Sequence, residues 1–349
     1  MNKAITYTRN GAIILGLGNG LLNLFNQLNN KTDAVAPLDW NKLLIATGKG
    51  AIIGATGGFV LGSVEDKRMS GILNESGGSL PKYLNSTLND YDDSDNYLLT
   101  SKAHEIKRLL NTKFRNEIVG SPKFNGSCLK GTSIQGSDID IHLRFKKHES
   151  SIEHIYNSVY MFLKNELNAE AITIRRQKHS IGVVYELDSE IMRIDVVPSR
   201  TSNNTDNDDY IFVNSASFFT QPSFRKINTR KQLKVLNFTH KERKIIKLLK
   251  IWKNENNINL KSIYLELLVK KAFEHKIPSR NIDKCLLDVL NYIANNISKL
   301  RIVDPANSNN IISDTLTYGE KIAVRDSCFD MISEIKKDKR NIIDFFPVN

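Results

Sequence analysis

The chain has 349 residues, of which 40% are hydrophobic and 25% charged, and this is the ordinary composition of a folded protein with a sizeable core and two or three domains. Its net charge of +11 favours polyanionic partners such as nucleotides, nucleic acid or an anionic membrane surface. Three scattered cysteines, Cys128, Cys285 and Cys328, exclude a disulfide framework and a cysteine zinc site, and they favour a cytoplasmic location.

Residues 1–70 differ from the rest of the chain because they are apolar and rich in glycine. Two apolar stretches lie at 11–25 and 43–64, and the second has a glycine at every fourth position: Gly50, Gly54, Gly58 and Gly62. On a helix this spacing puts the glycines on one stripe, which is typical of closely packed helix pairs. We therefore predict a helical hairpin. Three interpretations stay open for residues 11–64: membrane contact, docking on the rest of the protein, or self-association.

The remainder of the chain predicts an α+β fold with a sheet core at 98–200 and a mainly helical lobe at 201–349. Residues 71–97 are rich in Gly, Ser, Asn and Asp, which predicts a linker. Apolar periodicity predicts helices and strands. The predicted helices are 97–118, 151–167, 241–253, 261–273, 282–300 and 317–336, and the predicted strands are 171–175, 181–186 and 191–197.

The stretch GSCLKGTSIQGSDIDI at 126–141 is the main candidate functional motif. Asp138 and Asp140 begin the alternating run DIDIHLRF, so a strand would place both carboxylates on one face and the isoleucines in the core. Two adjacent carboxylates repel each other unless a cation compensates them. Oxygen ligands of this kind suit Mg²⁺, which binds through carboxylates and substrate phosphates. A turn at Gly126 and Ser127 would offer backbone N–H groups and a hydroxyl to phosphate oxygens.

Gly-Ser, nine residues, then Ser-Asp-Ile-Asp resembles the signature of the polymerase-β-type nucleotidyltransferase superfamily. The resemblance implies a third carboxylate on a neighbouring strand, and Asp195 in IMRIDVVPSR has that setting. It also implies that Asp138, Asp140 and Asp195 hold two Mg²⁺ ions, or Mn²⁺ in their place. One ion would activate the attacking hydroxyl and the other the triphosphate.

A narrower resemblance extends into the second half of the chain. LLKIWKNENNINLKSIYLELL at 248–268 resembles a segment of oligoadenylate synthetases, cyclic GMP-AMP synthase and the bacterial CD-NTases, in which a helix lysine and a later serine touch the triphosphate. The resemblance assigns nucleotide binding to Lys250 and Ser262, together with Gly126 and Ser127. Lys247 is the alternative candidate for the lysine. QKHSIGVVYEL and RIVDPANSNNII resemble other segments of this group, so the likeness covers about residues 100–315.

One position departs from the family pattern. Family members often carry an aromatic residue directly after the serine, but Ile263 stands there and Tyr264 follows. On a helix one residue corresponds to a turn of about 100°, so we expect Tyr264 not to stack on the base.

The resemblance implies an NTP-dependent enzyme that joins NTPs, with ATP among them, into a cyclic or linear oligonucleotide second messenger for antiphage defence, with release of pyrophosphate. A first alternative is transfer to RNA, such as a tRNA 3′ end, guided by residues 222–253 with their eleven Lys or Arg and one acid. A second alternative is a membrane-tethered nucleotide-binding protein without activity.

Overall fold

The computed structural model describes residues 79–92, 97–147, 150–168, 171–187, 190–202, 208–214 and 223–347. The described residues divide into two compact units, one within 88–332 and one of residues 79–87 with 333–347. The predicted glycine-rich hairpin over 1–70 lies outside the described residues, and its three interpretations stay predictions. Within the described ranges, no helix combines the length and the apolar character needed to cross a membrane.

One mixed sheet dominates the unit 88–332. Its described strands are β1 (Lys123–Asn125), β2 (Ile139–Phe145), β3 (Thr173–Arg176), β4 (Ile181–Leu187), β5 (Glu190–Thr201), β6 (Asp209–Val213) and β7 (Ser223–Ile227). The strand order is β1-β2-β5-β4-β3, and β6 pairs with β5 while β7 pairs with β6. β2 and β5 run parallel, and the other pairs in this sheet are antiparallel. The predicted α+β class is confirmed.

The helices of the described residues are α1 (Leu80–Asp90), α2 (Tyr97–Phe114), α3 (Gly126–Lys130), α4 (Ile152–Glu166), α5 (Thr229–Val235), α6 (His240–Glu255), α7 (Ser262–His275), α8 (Ile282–Asn296) and α9 (Tyr318–Lys337). A short hairpin of β8 (Val303–Asp304) and β9 (Asn307–Ile311) precedes α9.

The hydrophobic core lies between the sheet and the helices α2 and α4. Both helices carry apolar residues at three- and four-residue spacing, which gives each one an apolar stripe. Fully buried members of the shared cluster are Ala103, Ile106 and Leu110 from α2, Tyr156, Val159 and Leu163 from α4, and Ile141, Ile194 and Val196 from the strands. Because this face of the sheet is covered by apolar side chains, polar side chains of β2 and β5 point to the opposite face.

The helices α6, α7 and α8 pack on one another and form the predicted helical part. The first of them begins with a capping box, in which Thr239 accepts from the backbone N–H of Glu242 while the Glu242 carboxylate accepts from the backbone N–H of Thr239. This arrangement satisfies two backbone donors that the first turn of a helix leaves without intrahelical partners.

Two stretches differ from the sequence prediction. The helix α1 lies inside the predicted linker 71–97. Its buried Leu80, Tyr83 and Leu84 follow helical spacing, but the many Gly, Ser, Asn and Asp residues of this stretch led to the linker prediction. The strands β6 and β7 extend the sheet beyond residue 200, into the part predicted to be helical. Each has only five residues, which is too short for a clear periodic signal, and the long strand β5 supplies the edge that β6 needs for pairing.

Candidate active site

The three candidate acids come together on the open face of the sheet. In β2, Ile139 and Ile141 are buried, so Asp140 between them points away from the core. Asp140 lies directly opposite Asp195 in the parallel pairing of β2 with β5. Asp138 immediately precedes β2, two residues from Asp140. Since side chains alternate along a strand, the three carboxylates share one face.

Asp140 is the most perturbed of these carboxyls. Its pKa is raised to about 6, first by burial and then by the negative charges of Asp195 and Asp138, while the positive charges of Lys130 and Lys250 oppose the shift. Burial disfavours the charged form of an acid, and neighbouring carboxylates act in the same direction. The positive charge of a bound cation would oppose both effects.

Burial also raises the pKa of Asp138 and Asp195. The charge of Asp138 adds to the shift at Asp195. Arg193 and Arg175, both exposed, oppose the shift at Asp138. The acids therefore lie beside positive side chains of β5 and β3.

The turn between β3 and β4 contacts Asp195. Gln177 Nε2 donates to Asp195 Oδ1 at 3.2 Å, and Ser180 Oγ lies 3.2 Å from Asp195 Oδ2. Neither residue was assigned a role from the sequence, although both belong to the polar run QKHS between two predicted strands. Their position in a turn gave no indication that they would face an acid on another strand.

Gly126 is required by both its conformation and its surroundings. Its φ is +61°, in the left-handed region, and a Cβ built there would lie 1.7 Å from Asp140 Oδ2. The preceding residue, Asn125, pairs with Asp140 across β1 and β2. The predicted Gly-Ser turn is thus the first turn of α3, and it packs directly on the acid. Only glycine permits so close an approach with this backbone conformation.

A cavity of about 450 Å³ lies against these residues. Six of the seven residues predicted from the sequence line it: Gly126, Ser127, Asp138, Asp140, Lys250 and Ser262. Lys130, Arg193 and Lys253 add positive charge to its wall. Asp195, the seventh, is not among the lining residues and lies beside Asp140 on the next strand.

Lys250 belongs to a buried ionic network that the sequence did not reveal. Its Nζ donates to the Thr132 backbone oxygen at 2.9 Å and lies 3.2 Å from Glu266 Oε1. Glu266 is fully buried, and its other oxygen lies 2.5 Å from Lys130 Nζ. Burial lowers the pKa of Lys250, whereas the charge of Glu266 opposes this shift. The network connects α6, α7 and the chain around α3, and the sequence signal for it was one acid inside the apolar run IYLELLV.

Two other residues considered in the sequence analysis lie away from the cavity. Lys247 pairs with Asp92 at 2.9 Å and is not among the residues that line the cavity. Tyr264 is fully buried, with its hydroxyl 3.5 Å from the Ile297 backbone oxygen, and burial raises its pKa to about 12. This burial agrees with the expectation that Tyr264 does not stack on a base, which stays a prediction.

Several basic residues of the stretch 222–253 form ion pairs with acids from other elements. Its ion pairs, in addition to that of Lys247, include Arg225 with Asp304, Lys226 with Asp208, and Lys250 with Glu266. These pairs compensate part of the positive charge of the stretch, and its predicted role as an RNA track stays a prediction.

The donor set fits a hard divalent cation. Within the described residues no group of three or more His, Cys, Asp or Glu is already drawn together as a metal site. The chemistry of the three carboxylates nevertheless fits Mg²⁺, because the ligands are oxygens and the acids border a cavity with room for phosphate groups.

Comparison with solved structures decides the fold. No protein-family model matches the chain, and no curated protein sequence matches it significantly. The CD-NTase CdnG of Bradyrhizobium diazoefficiens, in complex with GTP, is similar with a TM-score of 0.61 and 12% identity, over 76% of this chain and 95% of that one. The chain has the nucleotidyltransferase fold.

Two further structures support this nucleotidyltransferase fold. CdnC of E. coli MS115-1 with ATP has a TM-score of 0.60 and 15% identity, over 76% of this chain and 96% of that one. The Cid1 poly(U) polymerase has a TM-score of 0.56 and 13% identity, over 77% of this chain and 98% of that one. The resemblance to nucleotidyltransferases stated from the sequence is confirmed at the level of the fold.

We expect Gly126→Ala to destabilise the nucleotidyltransferase fold more than Gly120→Ala does. Both glycines have a positive φ, but a Cβ at Gly120 has no atom within 4 Å, whereas one at Gly126 overlaps Asp140. Both variants lose stability because alanine is unfavourable at a positive φ. Gly126→Ala should lose about 1–3 kcal/mol more, because its Cβ overpacks the site. Urea unfolding of the two variants measures the difference. Equal losses of stability would contradict the close contact with Asp140.

We expect the stability difference between Asp140→Asn and the wild type to depend on pH. The folded-state pKa of Asp140, about 6, lies above the ordinary 3.8, so the wild type loses stability as the pH rises through this interval. The variant has no such charge. In metal-free buffer it should gain up to about 3 kcal/mol over the wild type above pH 6 and show little difference near pH 4. Urea unfolding across this pH range measures it, and a pH-independent difference would be inconsistent with the buried charge.

Proposed function

We propose that the protein is a metal-dependent nucleotidyltransferase that joins NTPs, with ATP as a candidate substrate, into a cyclic or linear oligonucleotide second messenger. One observation carries the proposal: Asp140 and Asp195 lie side by side on the open face of the sheet, next to a cavity lined by Gly126, Ser127 and Lys250. A signalling role in antiphage defence, implied by the resemblance to CD-NTases, belongs to the same proposal.

In this proposal the cavity holds the donor triphosphate. Ser127 offers its hydroxyl, and Ser262 stands at the first residue of α7, where helix N–H groups favour an anion. Lys250, Lys130 and Lys253 supply positive charge around the phosphates. Positive groups that are held in place before the reaction stabilise the charge that develops during phosphoryl transfer.

Asp138, Asp140 and Asp195 would hold two Mg²⁺ ions. When bound, these ions would activate the acceptor hydroxyl and compensate the charge of the triphosphate. Gly126 would allow the Asp140 carboxylate to lie against the first turn of α3, because a Cβ at this position would overlap it. The turn residues Gln177 and Ser180 contact the carboxylate of Asp195.

The acceptor would approach from the side of Asp195, which does not line the donor cavity. Its hydroxyl oxygen attacks the α-phosphorus, the bond to the β-phosphate oxygen breaks, and pyrophosphate leaves. Asp195 helps to remove the hydroxyl proton. The exposed Arg175, whose charge acts on both Asp138 and Asp195, favours an acceptor that itself carries phosphate.

A second candidate is nucleotide transfer to the 3′ end of an RNA, which is also a phosphate-bearing acceptor. The fold likeness to the Cid1 poly(U) polymerase favours it. The ion pairs within 222–253 weigh against it, because they compensate part of the charge that an RNA track would need. A third candidate is a nucleotide-binding protein without activity. Such a protein would not need three acids close together beside the cavity.

We expect Asp138→Ala to abolish pyrophosphate release from a mixture of the four NTPs with Mg²⁺, because it removes one of the carboxylates that hold the metal. Asp330→Ala, which changes an exposed acid on α9, is the matched control and should keep wild-type activity. Activity that survives in Asp138→Ala would refute the assignment.

Running the wild-type reaction with and without total RNA separates the candidates. Mass spectrometry of small products formed without RNA would support the second messenger. A product that requires RNA and stays attached to it would support the second candidate. NTP binding without conversion would support the inactive protein.

Comparing Lys250→Met with the double variant Lys250→Met/Glu266→Gln separates the two roles of Lys250. The single variant leaves Glu266 with one cation fewer in a buried site and should lose about 3–5 kcal/mol of stability. The double variant should recover much of that loss. Its KM for NTPs should nevertheless stay about 10–100-fold above wild type, the value of a charged hydrogen bond. Recovery of both stability and KM would show that Lys250 is purely structural.

A further inference from the structure

The turn that joins β3 to β4 makes a specific set of hydrogen bonds around Asp195. The Ser180 hydroxyl has a single proton and two neighbouring acceptors, Gln177 Oε1 at 2.6 Å and Asp195 Oδ2 at 3.2 Å. The shorter contact indicates that Ser180 donates to Gln177. This bond fixes which end of the amide faces the acid, so that the Gln177 nitrogen donates to Asp195 Oδ1 at 3.2 Å.

The same turn is attached to the hydrophobic core. The fully buried Tyr156 of α4 places its hydroxyl between the two ends of the turn. This hydroxyl donates to the Ser180 backbone oxygen at 2.8 Å and accepts from the backbone N–H of Gln177 at 3.1 Å. Because Tyr156 is packed between the helix and the sheet, the turn has a fixed position relative to the strands.

Gly182 leaves the space in which the Gln177 side chain reaches Asp195. It pairs with Asp195 across β4 and β5, and a Cβ there would lie 2.3 Å from Gln177 Nε2 and 3.4 Å from Asp195 Oδ1. A side chain at this position would therefore push the amide away from the acid. The residue is glycine because of this close approach.

We propose that Gln177 and Ser180 are positioning residues for Asp195. The Gln177 amide donates a hydrogen bond to one carboxylate oxygen, and the hydrogen bond from Ser180 fixes the orientation of that amide. Tyr156 connects both residues to the core through hydrogen bonds to their backbone groups. The carboxylate is thereby oriented before substrate and metal arrive. Residues that hydrogen-bond to metal-binding carboxylates orient them, and their loss typically costs about 10–100-fold in metal affinity or activity. The inference rests on the proposed function, since it assigns Asp195 to the metal.

Gln177→Met keeps the length of the side chain but removes its donor and acceptor, and Ser180→Ala removes the lock. Lys178→Ala, an exposed position in the same turn, is the matched control. Mn²⁺ binding is measured by electron paramagnetic resonance in the presence of non-hydrolysable analogues of the four NTPs. We expect Gln177→Met to weaken Mn²⁺ binding about 10–100-fold, and Ser180→Ala to weaken it less. Lys178→Ala should match the wild type.

Steady-state kinetics give the second readout. Gln177→Met should lower kcat and raise the metal concentration needed for half-maximal activity. The KM for NTPs should stay the same, because the residues of the donor cavity are unchanged. A double-mutant cycle tests the route of the effect, and Gln177→Met should have no further effect on Mn²⁺ affinity in an Asp195→Asn background.

Unchanged Mn²⁺ affinity in Gln177→Met, or full additivity in the cycle, would overturn the inference and leave the turn with a structural role only. Wild-type protein that binds Mn²⁺ and the analogues but releases no pyrophosphate from NTPs would instead contradict the proposed function. In that case the Mn²⁺ measurements still decide whether Gln177 positions Asp195.

Discussion

The crowding of carboxylates on one face of a partly buried sheet is the constraint on which the site depends. Asp140 and Asp195 are direct neighbours in the parallel pairing of β2 with β5. Burial, together with the charges of Asp195 and Asp138, raises the pKa of Asp140 to about 6. An arrangement of this kind costs stability unless opposite charge compensates it. The surrounding structure supplies part of that compensation through Lys130 and Lys250, and the remainder is what a divalent cation would provide.

The lysines that compensate the acids are themselves held by a buried acid. Glu266 lies between Lys130 and Lys250 and is fully buried, so its charge requires both partners. A buried ion pair of this kind adds little net stability, but breaking it is costly, and this fixes the positions of the charged groups. The network therefore determines where Lys250 stands relative to Asp140, and it makes the helical part of the chain a component of the site.

Much of the architecture could be predicted from the sequence because it follows from local periodicity. The alternation in β2 predicted which residues are buried, and the stripes of α2 and α4 predicted the helices that cover the sheet. The helix α1 was missed although its apolar residues have helical spacing, because the Gly, Ser, Asn and Asp content of 71–97 indicated a linker. The strands β6 and β7 were missed because five residues carry too little pattern, and their pairing depends on the edge of β5.

The sequence by itself determined that Asp138 and Asp140 share a face, since a strand alternates its side chains whatever surrounds it. It also determined that a glycine and a serine precede them at a spacing typical of nucleotidyltransferases. Only the tertiary structure decided that Asp195 stands opposite Asp140, that Gln177 reaches Asp195 over Gly182, and that Lys247 pairs with Asp92 while Lys250 pairs with Glu266. The reason is physical: backbone geometry sets local periodicity, whereas strand neighbours and buried ion pairs join residues far apart in the chain and form only when the whole core packs.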